Sequence, residues 1–341
     1  MMARSTVWVV GAGAIGAVAA ARLADRHEVV VVDPWAAHVD AVNAAGLRLT
    51  EPLGDHLTRP RAVLAQDAAG ADVPDPDLVL LAVKSTHTRS ALAEVRSRLG
   101  PRTPVVSLQN GLNEDAIAEC VGADRTVGAV VRYEAALTGP GAVTQYKTDG
   151  WLSIGEIGGP ATDRTRAVAA ILADGIRTEV TDDISTELWT KLIRNCMLNP
   201  VAAVSGLGLR SMAEQPHAAR CWAGIAREAA GAAARSGVHL PAEVFYGVPA
   251  ARLVGDGRVG FDAVVAALTG AYLRSPDVRP SMLQDIDKGR RTEVDFLNGE
   301  VARRCDRLGI DAAVNLAITE RVHDVEDGAE QGVALLPEVV G

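Results

Sequence analysis

The sequence contains few aromatic residues and few cysteines. Phe, Trp and Tyr make up 4% of the 341 residues, so the core has to be built mainly from short side chains such as Ala, Val and Leu. The four cysteines are far apart and form no C-x-x-C pair: Cys120, Cys196, Cys221 and Cys305. This spacing argues against a zinc site and against a disulfide framework. We therefore expect reduced cysteines and no bound metal.

Long apolar runs are also missing. No stretch reaches the roughly 18 consecutive apolar residues that a membrane-spanning helix needs. Arg4 and the apolar run at 7–21 superficially resemble a secretion signal, but ordered glycines interrupt the run, and Arg22 and Asp25 close it. The net charge of −9 is spread along the chain and would be repelled by nucleic acid and by anionic membranes. We expect a cytoplasmic protein that binds neither.

The chain is long enough to bury two cores of ordinary size. Its first half alternates short apolar runs with helical patterns, which is typical of β–α–β units and a parallel sheet. We predict strands at 7–10, 28–32, 78–83, 104–108 and 126–130, and helices at 15–26, 38–45, 88–99 and 163–174. Weaker strand signals at 143–145 and 151–154 predict an extension at one edge of this sheet.

Long amphipathic segments replace the strand signals after Asp182. We predict helices at 185–204, 218–236, 261–273 and 294–309, with loops at 241–260 and 274–280. The expected organisation is a dinucleotide-binding domain at 1–182, a helical domain at 183–325 and a loosely held tail at 326–341. The Ala-rich segment 218–234 is also compatible with the interface of a homodimer.

A glycine-rich motif follows the first predicted strand and opens a predicted helix: Gly11, Ala12, Gly13, Ala14, Ile15 and Gly16. In this context the spacing G-x-G-x-x-G indicates a dinucleotide site. Gly11 permits the tight turn, Gly13 lets the pyrophosphate approach the backbone, and Gly16 allows close packing of helix and strand. The alternative is an ordinary glycine-rich turn.

Asp33 ends the second predicted strand. A carboxylate at this place accepts hydrogen bonds from the adenosine ribose hydroxyls and repels a 2′-phosphate. No arginine follows it, since the next five residues are Pro34, Trp35, Ala36, Ala37 and His38. The pattern therefore favours NAD(H) over NADP(H). The alternative for Asp33 is a turn or helix-capping role.

Three polar residues form a stripe on a predicted apolar helix. Lys191, Asn195 and Asn199 recur at i, i+4 and i+8 and therefore share one helix face. Taken alone, such a stripe is more often the solvated face of an amphipathic helix.

Other motifs favour a functional stripe, because together they resemble the ketopantoate reductase family. The segment 281–299, SMLQDIDKGRRTEVDFLNG, is similar to the C-terminal signature of that family. Lys84 follows a predicted strand, the turn at 107–112 reads S-x-Q-N-G-L, and the helix reads K-x-x-x-N-x-x-x-N, as in family members. The resemblance runs from residue 7 to about residue 323.

The resemblance implies a Rossmann-type domain with a parallel sheet, followed by an all-helical domain like the C-terminal domain of 6-phosphogluconate dehydrogenase. It implies an oxidoreductase that transfers hydride from a nicotinamide cofactor to the ketone of a 2-oxo acid, 2-dehydropantoate or a related branched acid, giving the 2-hydroxy acid. Lys191 would be the general acid that protonates the ketone oxygen, and Glu293 would orient the substrate. A lysine in a partly closed cleft can have its pKa lowered toward neutrality, which suits this role.

Further binding residues follow from the same resemblance. Asn110 would lie beside the nicotinamide and the substrate, and neutral hydrogen bonds to the substrate would come from Asn195, Asn199 and Ser281. In NADP(H)-using relatives the lysine matched by Lys84 helps to bind the 2′-phosphate. Here Asp33 replaces the usual basic residue, so Lys84 has alternative partners in this acid or in the substrate.

Structural roles for single residues and other functions for the chain are the alternatives to these assignments. Glu293 could form a surface ion pair with Arg290 or Arg291, and Asn298 could be structural. The chain could also be a dehydrogenase of a 3-hydroxy acid or an opine-like amine with the same architecture, or a sensor that binds NAD(H) without turnover. Substrate-dependent oxidation of NADH separates an enzyme from a sensor.

Overall fold

The computed structural model describes residues 4–245, 248–254 and 258–339. The chain forms two compact units, the first ending at Ser185 and the second beginning at Thr186. Within the described residues, the first unit contains two sheets with helices, and the second consists of helices with one short two-stranded sheet. This confirms the expected class, a Rossmann-type α/β unit followed by a helical unit.

The first unit alternates strands and helices. Its strands are β1 (Thr6–Val10), β2 (Glu28–Asp33), β3 (Leu47–Glu51), β4 (Gly54–Thr58), β5 (Arg61–Leu64), β6 (Leu78–Leu81), β7 (Val105–Ser107), β8 (Thr126–Val131), β9 (Ala135–Gly139), β10 (Ala142–Gln145), β11 (Leu152–Gly155) and β12 (Thr178–Val180). Its helices are α1 (Ala14–Leu23), α2 (Ala36–Ala45), α3 (Thr88–Val95), α4 (Glu114–Val121) and α5 (Asp163–Ala173). The five predicted central strands are confirmed as β1, β2, β6, β7 and β8, whereas α4 is not among the predicted helices.

The main sheet has the strand order β12-β11-β8-β7-β6-β1-β2-β5. Its pairs are parallel except for β11, which runs antiparallel to β8. Trp8 and Val9 on β1 are fully buried, as expected for a central strand with a covered face on either side. The chain moves from β1 to β2 in one direction and returns to place β6 on the other side of β1. Ligands of open α/β sheets bind at the carboxyl ends of strands at such a switch point.

A second sheet, with the order β4-β3-β10-β9, packs against α1. The prediction that residues 143–145 extend the edge of the main sheet is therefore wrong: β10 pairs in parallel with β3. The reason lies in burial, because Val143 on β10 and Leu49 on β3 enter the same core as Ala20 of α1. The signal at 151–154 does extend the main sheet, as β11.

The second unit is mainly helical. Its elements are α6 (Ile184–Ser205, which begins two residues before the unit), α7 (Leu209–Ala213), α8 (Pro216–Arg235), β13 (Glu243–Phe245), β14 (Val248–Pro249), α9 (Ala250–Val254), α10 (Arg258–Tyr272), α11 (Ser281–Asp287), α12 (Asn298–Leu308) and α13 (Ala313–Glu326). The Ala-rich helix α8 packs against α9, α10, α12 and α13. Its small side chains are buried along most of its length, which lets these helices approach closely.

Two expectations for the second unit need correction. Residues 241–260 were expected to form a loop, but they contain β13, β14, α9 and the start of α10; residues 246–247 and 255–257 of this stretch lie outside the described residues. Residues 326–341 were expected to be loosely held, yet Leu336 is 3% exposed; residues 340–341 lie outside the described residues. Gln331 Nε2 and Gly332 N donate to the carbonyls of Ala203 and Val204 at 2.6 and 2.8 Å. The stretch is docked because these last carbonyls of α6 need donors from outside the helix.

Candidate functional site

The glycine motif forms the turn between β1 and α1. Gly11 has φ +90°, and a Cβ there would lie 2.7 Å from Val83. A Cβ on Gly16 would lie 1.9 Å from the Gly11 carbonyl oxygen, so neither position accepts a larger residue. At Gly13, by contrast, an added Cβ would meet no described atom within 4 Å. The backbone is therefore open on that side of the turn.

This turn fits a pyrophosphate. Helix α1 begins at Ala14, and its N-cap residue, Gly13, has no side chain that could bond the first amides of the helix. The first N–H groups of a helix lack partners within the helix and carry a partial positive charge. A free helix N-terminus beside an open backbone matches the site that a dinucleotide phosphate needs.

Asp33 anchors the same turn. Its Oδ2 accepts a hydrogen bond from the Ala12 amide at 2.7 Å, and its Oδ1 accepts one from the Trp35 amide at 2.8 Å. The side chain is 8% exposed. Asp33 therefore stabilises the turn, which is the role that the sequence left open as an alternative. A carboxylate has about four acceptor sites, so two sites are left for ribose hydroxyls.

The loops after β6 and β7 are tied together by buried polar side chains. Lys84 and Asn110 are both half-buried. The Asn110 carbonyl accepts hydrogen bonds from Ser85 Oγ at 3.0 Å and Asn113 Nδ2 at 2.7 Å. Gly111 has φ +89°, which turns the chain directly after Asn110. These contacts fix the backbone of Asn110 at the carboxyl end of β7.

Gln109 completes the link between the two loops, a role that its place in the Q-N-G motif does not reveal. Its Nε2 donates to the Val83 carbonyl at 3.0 Å and to Thr88 Oγ1 at 2.8 Å. Thr88 Oγ1 in turn donates to the Ser85 carbonyl at 3.0 Å. Gln109 and Thr88 are buried, so water is a poor substitute for these partners. The segments carrying Lys84 and Asn110 therefore hold each other in place.

A buried carboxyl lies at the start of α4, and the sequence patterns gave no sign of it. Glu114 is 5% exposed. Burial raises its pKa to about 7, and the nearby charge of Asp115 adds to this, while a hydrogen bond from Ser107 acts in the opposite direction. Glu114 therefore titrates in the physiological range, directly after the loop that carries Asn110.

In the second unit, α6 carries the polar stripe. Lys191 and Asn195 are half-buried, and Asn199 is 9% exposed. The exposed side of this part of the helix is marked by Arg194 instead. A purely solvated face would leave Asn199 accessible, so the burial of Asn199 argues against the alternative that the stripe is the solvated face of an amphipathic helix. Three neutral or basic hydrogen-bonding groups thus line one side of an apolar helix.

Glu293 is placed by its neighbours. The Thr292 amide donates to Glu326 Oε1 at 2.7 Å, and Arg291 Nη1 donates to Glu326 Oε2 at 2.9 Å. Val294 on the other side is 1% exposed. Glu293 itself is half-buried. Arg291, named above as an alternative partner for Glu293, is engaged with the end of α13, where it also pairs with Asp327.

Glu326 is thus the anchor of this segment. Burial raises the pKa of its carboxyl, but the hydrogen bonds from Thr292 and Arg291 outweigh that effect and leave the pKa below its ordinary value. Ser281 lies twelve residues before Glu293 in sequence, opens α11 and is exposed.

The three buried cysteines are not activated thiols. Burial raises the pKa values of Cys196 and Cys221, and it raises that of Cys305 to about 11, so these thiols stay protonated at neutral pH. Within the described ranges, no group of three or more His, Cys, Asp or Glu side chains is arranged to hold a metal ion. No helix among those residues is long and apolar enough to cross a membrane.

Comparison with known sequences identifies the family. The family described as "Ketopantoate reductase PanE/ApbA" matches residues 7–159, and its C-terminal counterpart matches residues 183–326. A 2-dehydropantoate 2-reductase of Archaeoglobus fulgidus is 33% identical over 74% of this chain and 78% of that protein. A second one, of Mesorhizobium japonicum, is 30% identical over 85% of this chain and 88% of that protein. The chain belongs to the ketopantoate reductase family of oxidoreductases, as the sequence motifs predicted.

Solved structures agree on the fold. A PanE/ApbA family ketopantoate reductase from Ralstonia eutropha is 31% identical, with a TM-score of 0.79 over 94% of this chain and 98% of that chain. A D-mandelate dehydrogenase solved with NADH and anilino(oxo)acetate also has a TM-score of 0.79, over 94% of this chain and 98% of that chain, at 24% identity. At that identity the second likeness concerns the fold alone.

Proposed function

We propose that this protein reduces the ketone of a 2-oxo acid with a nicotinamide cofactor and that Lys191 is the general acid. The observation that carries the proposal is the stripe of Lys191, Asn195 and Asn199 on α6, which is partly or fully buried in a chain of this family. A bound reduced nicotinamide would supply the hydride. All other steps fall to residues of the chain.

The first unit would bind and orient the cofactor. Gly11, Gly13 and Gly16 would hold the pyrophosphate against the start of α1, because that turn is open and uncapped. Asn110 would hydrogen-bond the nicotinamide or the substrate from the carboxyl end of β7. The bonds that Ser85 and Asn113 make to the Asn110 carbonyl support a fixed position for it, which hydride transfer requires.

The second unit would supply the proton. Lys191 Nζ would donate a proton to the ketone oxygen as the carbon accepts hydride, so that no free alkoxide forms. Glu293 would accept a hydrogen bond from a substrate hydroxyl and set the orientation of the acid. Asn195, Asn199 and Ser281 would donate neutral hydrogen bonds to the carboxylate or hydroxyl of the substrate.

The substrate we propose is 2-dehydropantoate or a related branched 2-oxo acid. The relatives from Archaeoglobus fulgidus and Mesorhizobium japonicum bear the name 2-dehydropantoate 2-reductase, which supports the first choice. A branched 2-oxo acid that also carries a hydroxyl would fit Glu293, because the proposed role of the Glu293 carboxylate is to accept a hydrogen bond from a substrate hydroxyl.

For the cofactor we propose NADH. Asp33 ends β2 and retains acceptor sites for the ribose hydroxyls, and the residues after it, up to His38, include no Arg or Lys. NADPH is the alternative typical of the family, with Lys84 as the residue that would contact its 2′-phosphate. In an NADH enzyme, Lys84 would instead pair with Asp33 or with the substrate.

The test is initial-rate oxidation of NADH and NADPH with 2-dehydropantoate and a panel of branched 2-oxo acids. Turnover of 2-dehydropantoate supports the proposal in full. Turnover of another branched 2-oxo acid alone would keep the reductase and its mechanism but remove 2-dehydropantoate as the substrate. Oxidation of a 3-hydroxy acid or an opine-like amine, with no branched 2-oxo acid reduced, would favour the second candidate, a dehydrogenase of a different substrate. Tight NADH binding without oxidation by any acid would contradict the enzyme and favour a sensor.

A further inference from the structure

A proline interrupts the hydrogen bonding of α6 inside the candidate site. Pro200 lies within this helix and has no N–H, so it cannot donate to the carbonyl of Cys196 four residues earlier. That carbonyl lies one residue after Asn195 and three before Asn199. Cys196 is fully buried, and a buried carbonyl without a donor is costly. A donor therefore has to come from another part of the fold.

Asn298 supplies it. This residue opens α12 and is fully buried. Its Nδ2 donates to the Cys196 carbonyl at 3.0 Å and to Asn315 Oδ1 at 3.0 Å. The two hydrogens of one amide group thus serve two acceptors. The reversed orientation would place Oδ1 against two oxygen atoms, so these partners fix which way the amide points.

The chain of bonds continues to a carboxylate. Asn315 Nδ2 donates to Glu228 Oε2 at 2.8 Å and to the Ile225 carbonyl at 3.2 Å. Glu228 on α8 also accepts the backbone amides of Val314 and Asn315, both at 2.8 Å. Because Glu228 and the Ile225 carbonyl are acceptors, Asn315 must turn its Oδ1 toward Asn298. The bonds therefore run outward from Asn298 on α12, to α6 on one side and through α13 to α8 on the other.

We infer that Asn298 is a positioning residue for the reaction, an inference that rests on the proposed function. Asn298 lies five residues after Glu293 and bonds to α6 five residues after Lys191. It thereby links the segment that carries Glu293 to the helix that carries Lys191. The link sets the position of the carboxylate relative to the lysine, and it acts through Glu293 without touching the substrate.

The test is a double-mutant cycle of Asn298→Ala and Glu293→Gln in the full chain, with the acid that the wild type turns over. Asn298→Ala should lower kcat by about tenfold or more, because small displacements of catalytic groups are costly, while KM for the cofactor stays within about twofold. In the Glu293→Gln background, Asn298→Ala should cost no more than about twofold. Non-additivity of this kind marks residues that act together.

Thr319→Val is the matched control. Thr319 lies on α13 and is buried, as Asn298 is, but its hydroxyl donates to the Asn315 carbonyl within its own helix. It should leave kcat within about twofold. If Asn298→Ala does not fold, the cycle is repeated in a Pro200→Ala background, where a backbone N–H at position 200 returns a donor to the Cys196 carbonyl without restoring the link to α12.

The outcomes separate two failures. An active wild type whose two substitutions multiply in their effects on kcat overturns the positioning role and leaves the proposed function standing. A wild type that oxidises neither NADH nor NADPH with any acid overturns the proposed function and this inference with it.

Discussion

Replacing Asp33 with alanine should loosen the nucleotide turn, in addition to changing cofactor choice. The substitution removes the acceptors of two backbone amides, those of Ala12 and Trp35. A hydrogen bond to a charged group contributes about 1.5–3 kcal/mol, so the pair contributes about 3 kcal/mol at the low end. The low end applies because water reaches the two amides once the side chain is gone.

Hydrogen exchange measures this directly. A loss of about 3 kcal/mol of local stability raises the exchange rates of the two amides by about a hundredfold, since each 1.36 kcal/mol is about a factor of ten. Mass spectrometry of peptides covering Ala12 and Trp35 reports these rates. Asp40→Ala is the matched control, because Asp40 is an exposed acid on α2 and its loss should leave both rates unchanged.

The same variant separates the two roles of Asp33. If Asp33 also accepts the ribose hydroxyls, the ratio of kcat/KM for NADH to that for NADPH should fall in Asp33→Ala. An unchanged ratio with fast exchange would leave Asp33 as an anchor of the turn only. Unchanged exchange at Ala12 and Trp35 would refute the anchoring argument, whatever happens to the cofactor ratio.

Three further predictions follow from single side chains. Lys191→Ala should lower kcat about a hundredfold with NADH affinity nearly intact; unchanged turnover would remove Lys191 from the mechanism. The pKa of Glu114 is raised from 4.5 to about 7, so its stabilisation is complete below pH 4.5 and is lost as the pH rises through 7. Glu114→Gln removes this contribution, so the urea stability of the wild type relative to the variant should fall by about 3 kcal/mol between pH 4.5 and pH 7. A difference that does not change with pH would contradict this. Glu326 has a lowered pKa, so its stabilisation is present above pH 4.5 and is lost as the pH falls through the folded value. Glu326→Gln should be less stable than wild type at pH 7 and nearer to it at pH 4, and a constant difference in urea stability would contradict this.

The central strands could be predicted because burial on both faces leaves a simple pattern. The run Val29 to Val32 on β2 is apolar without interruption and fully or almost fully buried. Strand β3 gave no such signal, since polar Arg48 and Thr50 alternate with buried Leu47 and Leu49. Its parallel partner β10 begins more than ninety residues later. Short alternating strands that pair across such distances are decided by tertiary packing rather than by local pattern.

The candidate site divides in the same way. The glycine turn and the stripe of Lys191, Asn195 and Asn199 are local patterns, so spacing alone locates them. The contact between Asn298 and Cys196 spans 102 residues and leaves no periodicity to detect. One local signal did exist, because Pro200 near the end of a predicted helix implies that the carbonyl four residues before it needs another donor.

Each unit thus uses a buried neutral amide to hold main chain beside candidate catalytic residues: Gln109 in the first and Asn298 in the second. The absence of charge matters for the Asn298 amide. The Cys196 carbonyl is five residues beyond Lys191, or about 7.5 Å along the helix. A lysine or arginine could also donate to that carbonyl, but a full positive charge at such a distance, in a buried environment, would lower the pKa of the Lys191 amine. An amide satisfies the carbonyl without changing that charge balance, so the orientation of α6 and the acidity of its lysine can be set independently.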